Sequence, residues 1–184
     1  MNYILPSIKS LILLYLGSLV LYSAFVYPYE FQSANPPFLI FIMDAVNLIV
    51  HEAGHFFFKF LGRTLYLMGG TIMQILLPLG IAVFVWFKAR DWVFLPLFWT
   101  GHAMINGSIY IYDARFMNLQ LIREGLLHDW FYALSENNWL NAHDDIAYTV
   151  GILGFLAMVT AIAHGINTTI SGFLRASRGE ELPA

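Results

Sequence analysis

The sequence predicts an all-α membrane protein, a single-domain bundle of about five transmembrane helices. Of its 184 residues 59% are hydrophobic and only 11% are charged, with a mean hydropathy of +0.65. Soluble domains carry about 25% charged residues. A helix needs roughly 20 apolar residues to cross the hydrocarbon core, so this length holds about five spans. The apolar runs are long and lack the alternation of barrel strands, which favours helices.

Turn signals separate five apolar runs in order along the chain. Asn35-Pro36-Pro37 precedes the second run, Gly69-Gly70 opens the third, and a charged turn at 88–91 divides the third from the fourth. The predicted spans cover residues 11–27, 38–60, 70–87, 92–112 and 146–166. The long connection at 115–144 is predicted to lie at the interface as a short amphipathic helix or a loop. The tail at 174–184 is predicted to be solvated and mobile.

Charge and composition exclude several function classes. A net charge of −3 with nine Lys and Arg residues leaves no basic surface for nucleic acid. With no Cys, the chain has no disulfide, thiolate metal site or Cys nucleophile. If five spans cross the membrane alternately, Lys9 and Lys88 lie on opposite sides. The nine basic residues are then divided five to four between the two sides, so the positive-inside rule does not predict which side faces the cytoplasm.

The second predicted span contains His-Glu-Ala-Gly-His at residues 51–55, an H-E-x-x-H motif. His51 and His55 lie at i and i+4, so both imidazoles can reach one zinc ion. Glu52 is turned about 100° around the helix, where it can act as general base on zinc-bound water and then as acid. Charged groups inside a span cost roughly 2.5–3.5 kcal/mol, so we expect a function for them. The alternative is a buried polar network that joins helices.

A catalytic zinc ion has three protein ligands and one open position. Asp113, at the end of the fourth predicted span, is the expected third ligand, and His128 in the long connection is its rival. Asn47 is predicted to orient an imidazole. His102 and Asn106 are predicted to polarise a substrate carbonyl, or else to form interhelical hydrogen bonds.

At these positions the chain resembles the site-2 protease family of intramembrane zinc metallopeptidases. That family carries H-E-x-x-H on one transmembrane helix and N-x-x-P-x-x-x-L-D-G on a later one, whose Asp is the third ligand. The resemblance covers roughly residues 38–115. It implies His51 and His55 as zinc ligands, Glu52 as the catalytic acid/base, Asp113 as the third ligand and Asn106 as the Asn of the second motif.

The second motif departs from the family pattern in three places. Asn106 and Asp113 are one residue closer together, Ile109 stands where a Pro is expected, and Tyr-Asp-Ala at 112–114 replaces Leu-Asp-Gly. There is no PDZ-like insertion. Together with Gly-Gly at 69–70 and His-Asp-Trp at 128–130, the pattern is more similar to small bacterial membrane proteins at the edge of that family.

The resemblance implies an intramembrane zinc metallopeptidase in a bacterial inner (cytoplasmic) membrane, acting on a membrane-embedded protein substrate. Zinc is the expected cofactor, with another divalent ion left open. Two other interpretations stand beside it. One is a non-catalytic accessory subunit of a larger membrane complex, with a structural or vestigial metal site. The other is a metal-ion or proton pathway through the buried ionisable groups. Glu52 distinguishes the peptidase from the accessory subunit, because a structural metal site does not need this carboxylate.

Overall fold

In the computed structural model, residues 3–28, 35–119 and 128–180 are described, and their regular structure is helical. Parts of the predicted connection (120–127) and of the predicted tail (181–184) lie outside the described residues. The all-α prediction is confirmed. The α-helices are α1 Ile4–Phe25, α2 Phe38–Phe58, α3 Arg63–Lys88, α4 Phe94–Asp113, α5 Asp129–Glu136 and α6 His143–Arg178.

Four of these helices, α1, α2, α3 and α6, are long and apolar enough to span a membrane. The fourth predicted span, residues 92–112, forms the 20-residue helix α4, but this helix is less apolar than the four that could span a membrane. Helix α4 is enclosed by the others, and Thr100, His102 and Asn106 are among its buried side chains. A helix that is surrounded by protein has little contact with lipid. It can therefore carry these polar side chains and be less apolar than the helices around it.

Two predicted boundaries were wrong. Helix α3 begins at Arg63, so Gly69 and Gly70 lie inside it and do not start it. Helix α6 continues to Arg178 and ends at Gly179, whose φ of 73° is the left-handed conformation that favours glycine. Residues 174–178 are therefore helical and do not belong to a mobile tail.

Glycines allow close contact between helices at two crossings in the bundle. A Cβ on Gly54 of α2 would collide with the backbone of Gly69 on α3. Likewise, a Cβ on Gly101 of α4 would collide with the carbonyl of Gly154 on α6, and the reverse also holds. Small residues let membrane helices approach closely and gain van der Waals contact, because lipid supplies no hydrophobic driving force between them.

Lys9 does not lie at the end of the bundle where five alternating spans would place it. Its ammonium lies 3.5 Å from the Asp91 carboxylate and 3.3 Å from the Asp91 carbonyl, in the turn between α3 and α4. The start of α1 therefore lies at the same end of the bundle as Lys88 and Arg90. The alternating arrangement of five spans, which separates Lys9 from Lys88, is wrong at this point.

Adding one methyl group at the α4–α6 crossing should destabilise the bundle. In a Gly154→Ala variant the new Cβ would lie 2.7 Å from the Gly101 carbonyl oxygen and 2.9 Å from Met104 Cβ. We expect a loss of about 1–3 kcal/mol, as for other overpacked sites, measured by thermal unfolding in mild detergent. Gly80→Ala is the matched control, because nothing lies within 4 Å of its Cβ. Equal unfolding temperatures for the two variants would contradict this packing.

Candidate metal centre

The two histidines of the H-E-x-x-H motif lie in the last two turns of α2. Helix α2 ends at Phe58, so His51 is about 11 Å and His55 about 5 Å from its end at 1.5 Å per residue. Both side chains are partly buried, with 15% and 12% of their surface exposed. Within the candidate span Phe38–Leu61, His51 lies near the midpoint and His55 lies one turn nearer the end that faces α3.

A carboxylate from another helix joins these imidazoles. Asp129 Oδ2, at the start of α5, lies 3.6 Å from His51 Nε2 and 3.2 Å from His55 Nε2. The three ligand atoms all lie within 4.8 Å of one another. Tetrahedral zinc with bonds of about 2.0–2.1 Å places its ligand atoms about 3.3 Å apart. The two imidazole nitrogens and the carboxylate oxygen are thus close enough to one another to hold a metal ion.

Helix α5 is fixed to the first turns of α3, which is what positions Asp129. The Trp130 indole donates a 2.9 Å hydrogen bond to Thr71 Oγ1, and Trp130 is only 8% exposed. At the other end of α5, the guanidinium of Arg63 lies 2.8 Å from both carboxylate oxygens of Glu136. Asp129 is therefore held over α2 by contacts at both ends of its short helix.

The environment of Asp129 favours its ionised form. Burial alone would raise the pKa of this carboxyl, but hydrogen bonds from His51 and His55 outweigh burial and lower the pKa below its ordinary value. A metal ligand must be deprotonated. Asp129 is thus available as a ligand throughout the neutral range.

The opposite ring nitrogens have acceptors that orient the imidazoles. His55 Nδ1 donates to the Tyr66 carbonyl at 2.8 Å, and His51 Nδ1 lies 3.4 Å from Gln74 Oε1. The Gln74 amide nitrogen donates to the Ala103 carbonyl, which fixes its oxygen toward His51. With Nδ1 of each ring facing an acceptor on α3, Nε2 is the atom that faces Asp129 and would bind a metal. Such partners are typical of histidines that bind metal.

Gly70 makes room for the His51 ring. A Cβ at residue 70 would collide with His51 Nε2 and with both adjacent ring carbons. The Gly69-Gly70 pair therefore serves two purposes on α3. Gly69 allows the backbones of α2 and α3 to meet, and Gly70 provides the surface on which the His51 imidazole rests.

A buried hydrogen-bond network continues from Gln74 into the bundle. Gln74 Nε2 donates to Asn106 Oδ1 at 2.9 Å, and the Asn106 amide donates to Tyr27 Oη at 2.8 Å and to Asp44 Oδ1 at 3.2 Å. His102 Nε2 and Tyr27 Oη each lie 2.8 Å from the same Asp44 oxygen. His102 and Asn106 therefore form interhelical hydrogen bonds, the second of the two roles predicted for them.

Three other predicted site residues do not reach the cluster. The Asp113 carboxylate instead accepts hydrogen bonds from the backbone N–H groups of Asn118 and Leu119, at 3.0 and 2.9 Å, and so caps the turn that ends α4. His128 precedes α5 and is not part of the ligand cluster, which uses its neighbour Asp129. Asn47 accepts from the Trp99 indole at 2.8 Å and does not orient an imidazole. Among the described residues the carboxylate grouped with His51 and His55 is that of Asp129, so the candidate third ligand in the structure is Asp129 and neither Asp113 nor His128.

Glu52 follows His51 in α2, and its side chain is exposed. Within the described residues its carboxylate forms no hydrogen bond or ion pair. The acid is thus free to contact a ligand that approaches the open side of α2.

Sequence reasoning missed Asp129 and Gln74. The signal for Asp129 was present in His-Asp-Trp at 128–130, because Trp130 is the residue that fixes this helix to α3. The signal for Gln74 was its amide side chain inside an apolar run, where a polar group needs a hydrogen-bond partner.

Comparisons with protein-family models, with curated proteins and with solved structures found no match for this chain. The interpretation of the site therefore comes from its own geometry.

Substitutions of Asp129 and of Asp113 should show which of the two binds metal and which only caps a helix. We expect Asp129→Asn to lower zinc affinity by at least tenfold, since an amide is a poor replacement for a carboxylate ligand. Asp113→Asn should keep wild-type affinity. Zinc titration of both variants in detergent checks this. Loss of zinc in the Asp113 variant with retention in the Asp129 variant would reverse the assignment.

Removal of the Gln74 amide should weaken metal binding without removing a ligand. Loss of a group that orients a metal-bound histidine costs about 10–100-fold in affinity, which is the range expected for Gln74→Leu. Thr149→Val is the control, because Thr149 is exposed and its hydroxyl bonds only to the Asp145 carbonyl within α6. Identical zinc affinities for the two variants would show that Gln74 does not orient His51.

Proposed function

We propose that this protein is an intramembrane metallopeptidase, similar to the site-2 protease family, in a bacterial inner membrane. Its metal ligands are His51, His55 and Asp129, and its general base is Glu52. The observation that carries the proposal is the convergence of two imidazole nitrogens and one carboxylate oxygen beside an unpaired glutamate.

The donor set favours a zinc ion, which when bound would polarise the scissile carbonyl and acidify a water molecule. Glu52 would act as the general base toward water and then as the acid that protonates the leaving amine. The acceptor that each Nδ1 has on α3 orients the ring, so that Nε2 of His51 and of His55 would face the ion. Asp129 provides the negative charge among the three ligands.

The surroundings of Glu52 support a membrane-embedded substrate. Ile49, Glu52 and Phe56 follow each other at i, i+3 and i+7, so they share one face of α2. Ile49 is 70% exposed and Phe56 is 60% exposed. An apolar segment that approaches laterally would therefore pack on Ile49 and Phe56 and bring its backbone to the carboxylate.

The origin of Asp129 supports entry of water to the site. This ligand comes from α5, in the connection between α4 and α6 and outside the long apolar helices. Water can reach the cluster from the side of α5. A substrate helix would need to unwind where it meets the site to expose a peptide bond.

Conversion of Glu52 to Gln should abolish peptide cleavage and leave the metal bound. General base catalysis contributes about 10²–10⁴-fold, so at least a hundredfold loss of cleavage is expected. The measurement compares new N-termini of membrane proteins in bacteria that produce the wild type or the Glu52→Gln variant, with zinc content measured on both purified proteins.

Asp145→Asn is the matched control, because Asp145 is an exposed carboxylate in the first turn of α6 and takes no part in positioning the cluster. Cleavage products that persist in the Glu52 variant would refute the mechanism. A metal-containing wild type that yields no new N-termini would favour the accessory-subunit interpretation.

A further inference from the structure

A second candidate site lies at the end of the bundle opposite the metal centre. A cavity of about 360 Å³ opens where α1 begins and where α3 turns into α4. Its walls are the first turns of α1, the segment 86–92 and Thr168 of α6. Helix α3, with 26 residues, separates this cavity from the helix α5 end of the bundle. A volume of this size lies within the range of small-ligand sites, roughly 300–1,000 Å³.

The cavity concentrates positive charge in a chain whose net charge is −3. Three of the nine basic residues line it, namely Lys9, Lys88 and Arg90, against one carboxylate, that of Asp91. The local balance of three positive charges and one negative charge is +2. Such a surface attracts an anion.

The Lys9 ammonium is buried but only loosely paired. Lys9 is 3% exposed, and both of its hydrogen bonds to Asp91 are long, at 3.3 and 3.5 Å. The ammonium also lies 4.7 Å from the centroid of the Trp92 ring. An ammonium group has three N–H donors. It therefore has the capacity for a stronger acceptor from a bound ligand.

The wall that carries these cations is fixed before any ligand binds. His164 Nε2 donates to the Arg90 carbonyl at 2.9 Å, and Lys9 donates to the Asp91 carbonyl. The Arg90 guanidinium lies 4.1 Å above the Trp86 ring, which orients its N–H donors. A preformed basic site loses little entropy on binding.

We propose that this cavity binds the phosphate group of an anionic ligand, a phospholipid headgroup or free phosphate. The cavity lies at the ends of spanning helices and beside Trp86 and Trp92, aromatic residues that are typical of the headgroup level. Basic pockets between transmembrane helices bind anionic headgroups at this depth. The proposal does not depend on the peptidase function.

The test measures binding of three probes to the detergent-purified protein by titration calorimetry. The probes are dioctanoyl phosphatidylglycerol, inorganic phosphate and dioctanoyl phosphatidylcholine, whose own cation offsets its phosphate. We expect saturable binding of phosphatidylglycerol or phosphate, and at least tenfold weaker binding of phosphatidylcholine. Whichever of the first two binds more tightly identifies the source of the phosphate group.

Lys88→Gln and Arg90→Gln change exposed side chains, so both variants should fold. Each should weaken binding about fivefold, which corresponds to about 1 kcal/mol per basic residue near the headgroups. Lys59→Gln is the matched control, because Lys59 is also an exposed cation above an aromatic ring, that of Phe56 at 4.3 Å. Absence of saturable binding by either anion, or equal affinity in the Arg90 and Lys59 variants, would overturn the proposal.

Discussion

The close contact between α2 and α3 is the constraint on which the candidate site depends. Gly54 and Gly69 allow the two backbones to meet, and Gly70 accommodates the His51 ring. From this contact α3 supplies the acceptors for both imidazoles, the carbonyl of Tyr66 and the amide of Gln74. Helix α3 also carries α5, and with it Asp129. A change in the separation of α2 and α3 would therefore disturb the ligands, their orientation and the third donor together.

Polar groups inside this apolar bundle are tolerated because they bond to one another. Gln74, Asn106, Asp44, His102 and Tyr27 link α1, α2, α3 and α4 through side-chain hydrogen bonds of 2.8–3.2 Å. Without such partners each group would carry a large desolvation cost. The enclosed helix α4 provides two of these five residues, which explains why its composition is less apolar than that of its neighbours. One network thus joins the helices and supports a metal-binding imidazole.

The sequence was sufficient to predict the helical class and the two histidines, because both depend on local periodicity. An i, i+4 pair lies on one helical face whatever the rest of the chain does. The third ligand depends on tertiary contacts. The resemblance implied Asp113 as that ligand, although it lies one residue closer to Asn106 than in the family pattern, yet its carboxylate accepts hydrogen bonds from the backbone of Asn118 and Leu119. Asp129 reaches the two histidines because Trp130 and Glu136 fix α5 to α3, and these pairings lie many residues apart in the sequence.

The most direct test of the account is zinc content together with X-ray absorption at the zinc edge, on wild-type protein purified in detergent without chelator. The account predicts one zinc ion per chain, with two imidazole nitrogens and the remaining ligands oxygen, at about 2.0–2.2 Å. Metal-free protein that does not take up added zinc would contradict it. So would a bound zinc ion whose spectrum shows fewer than two imidazoles.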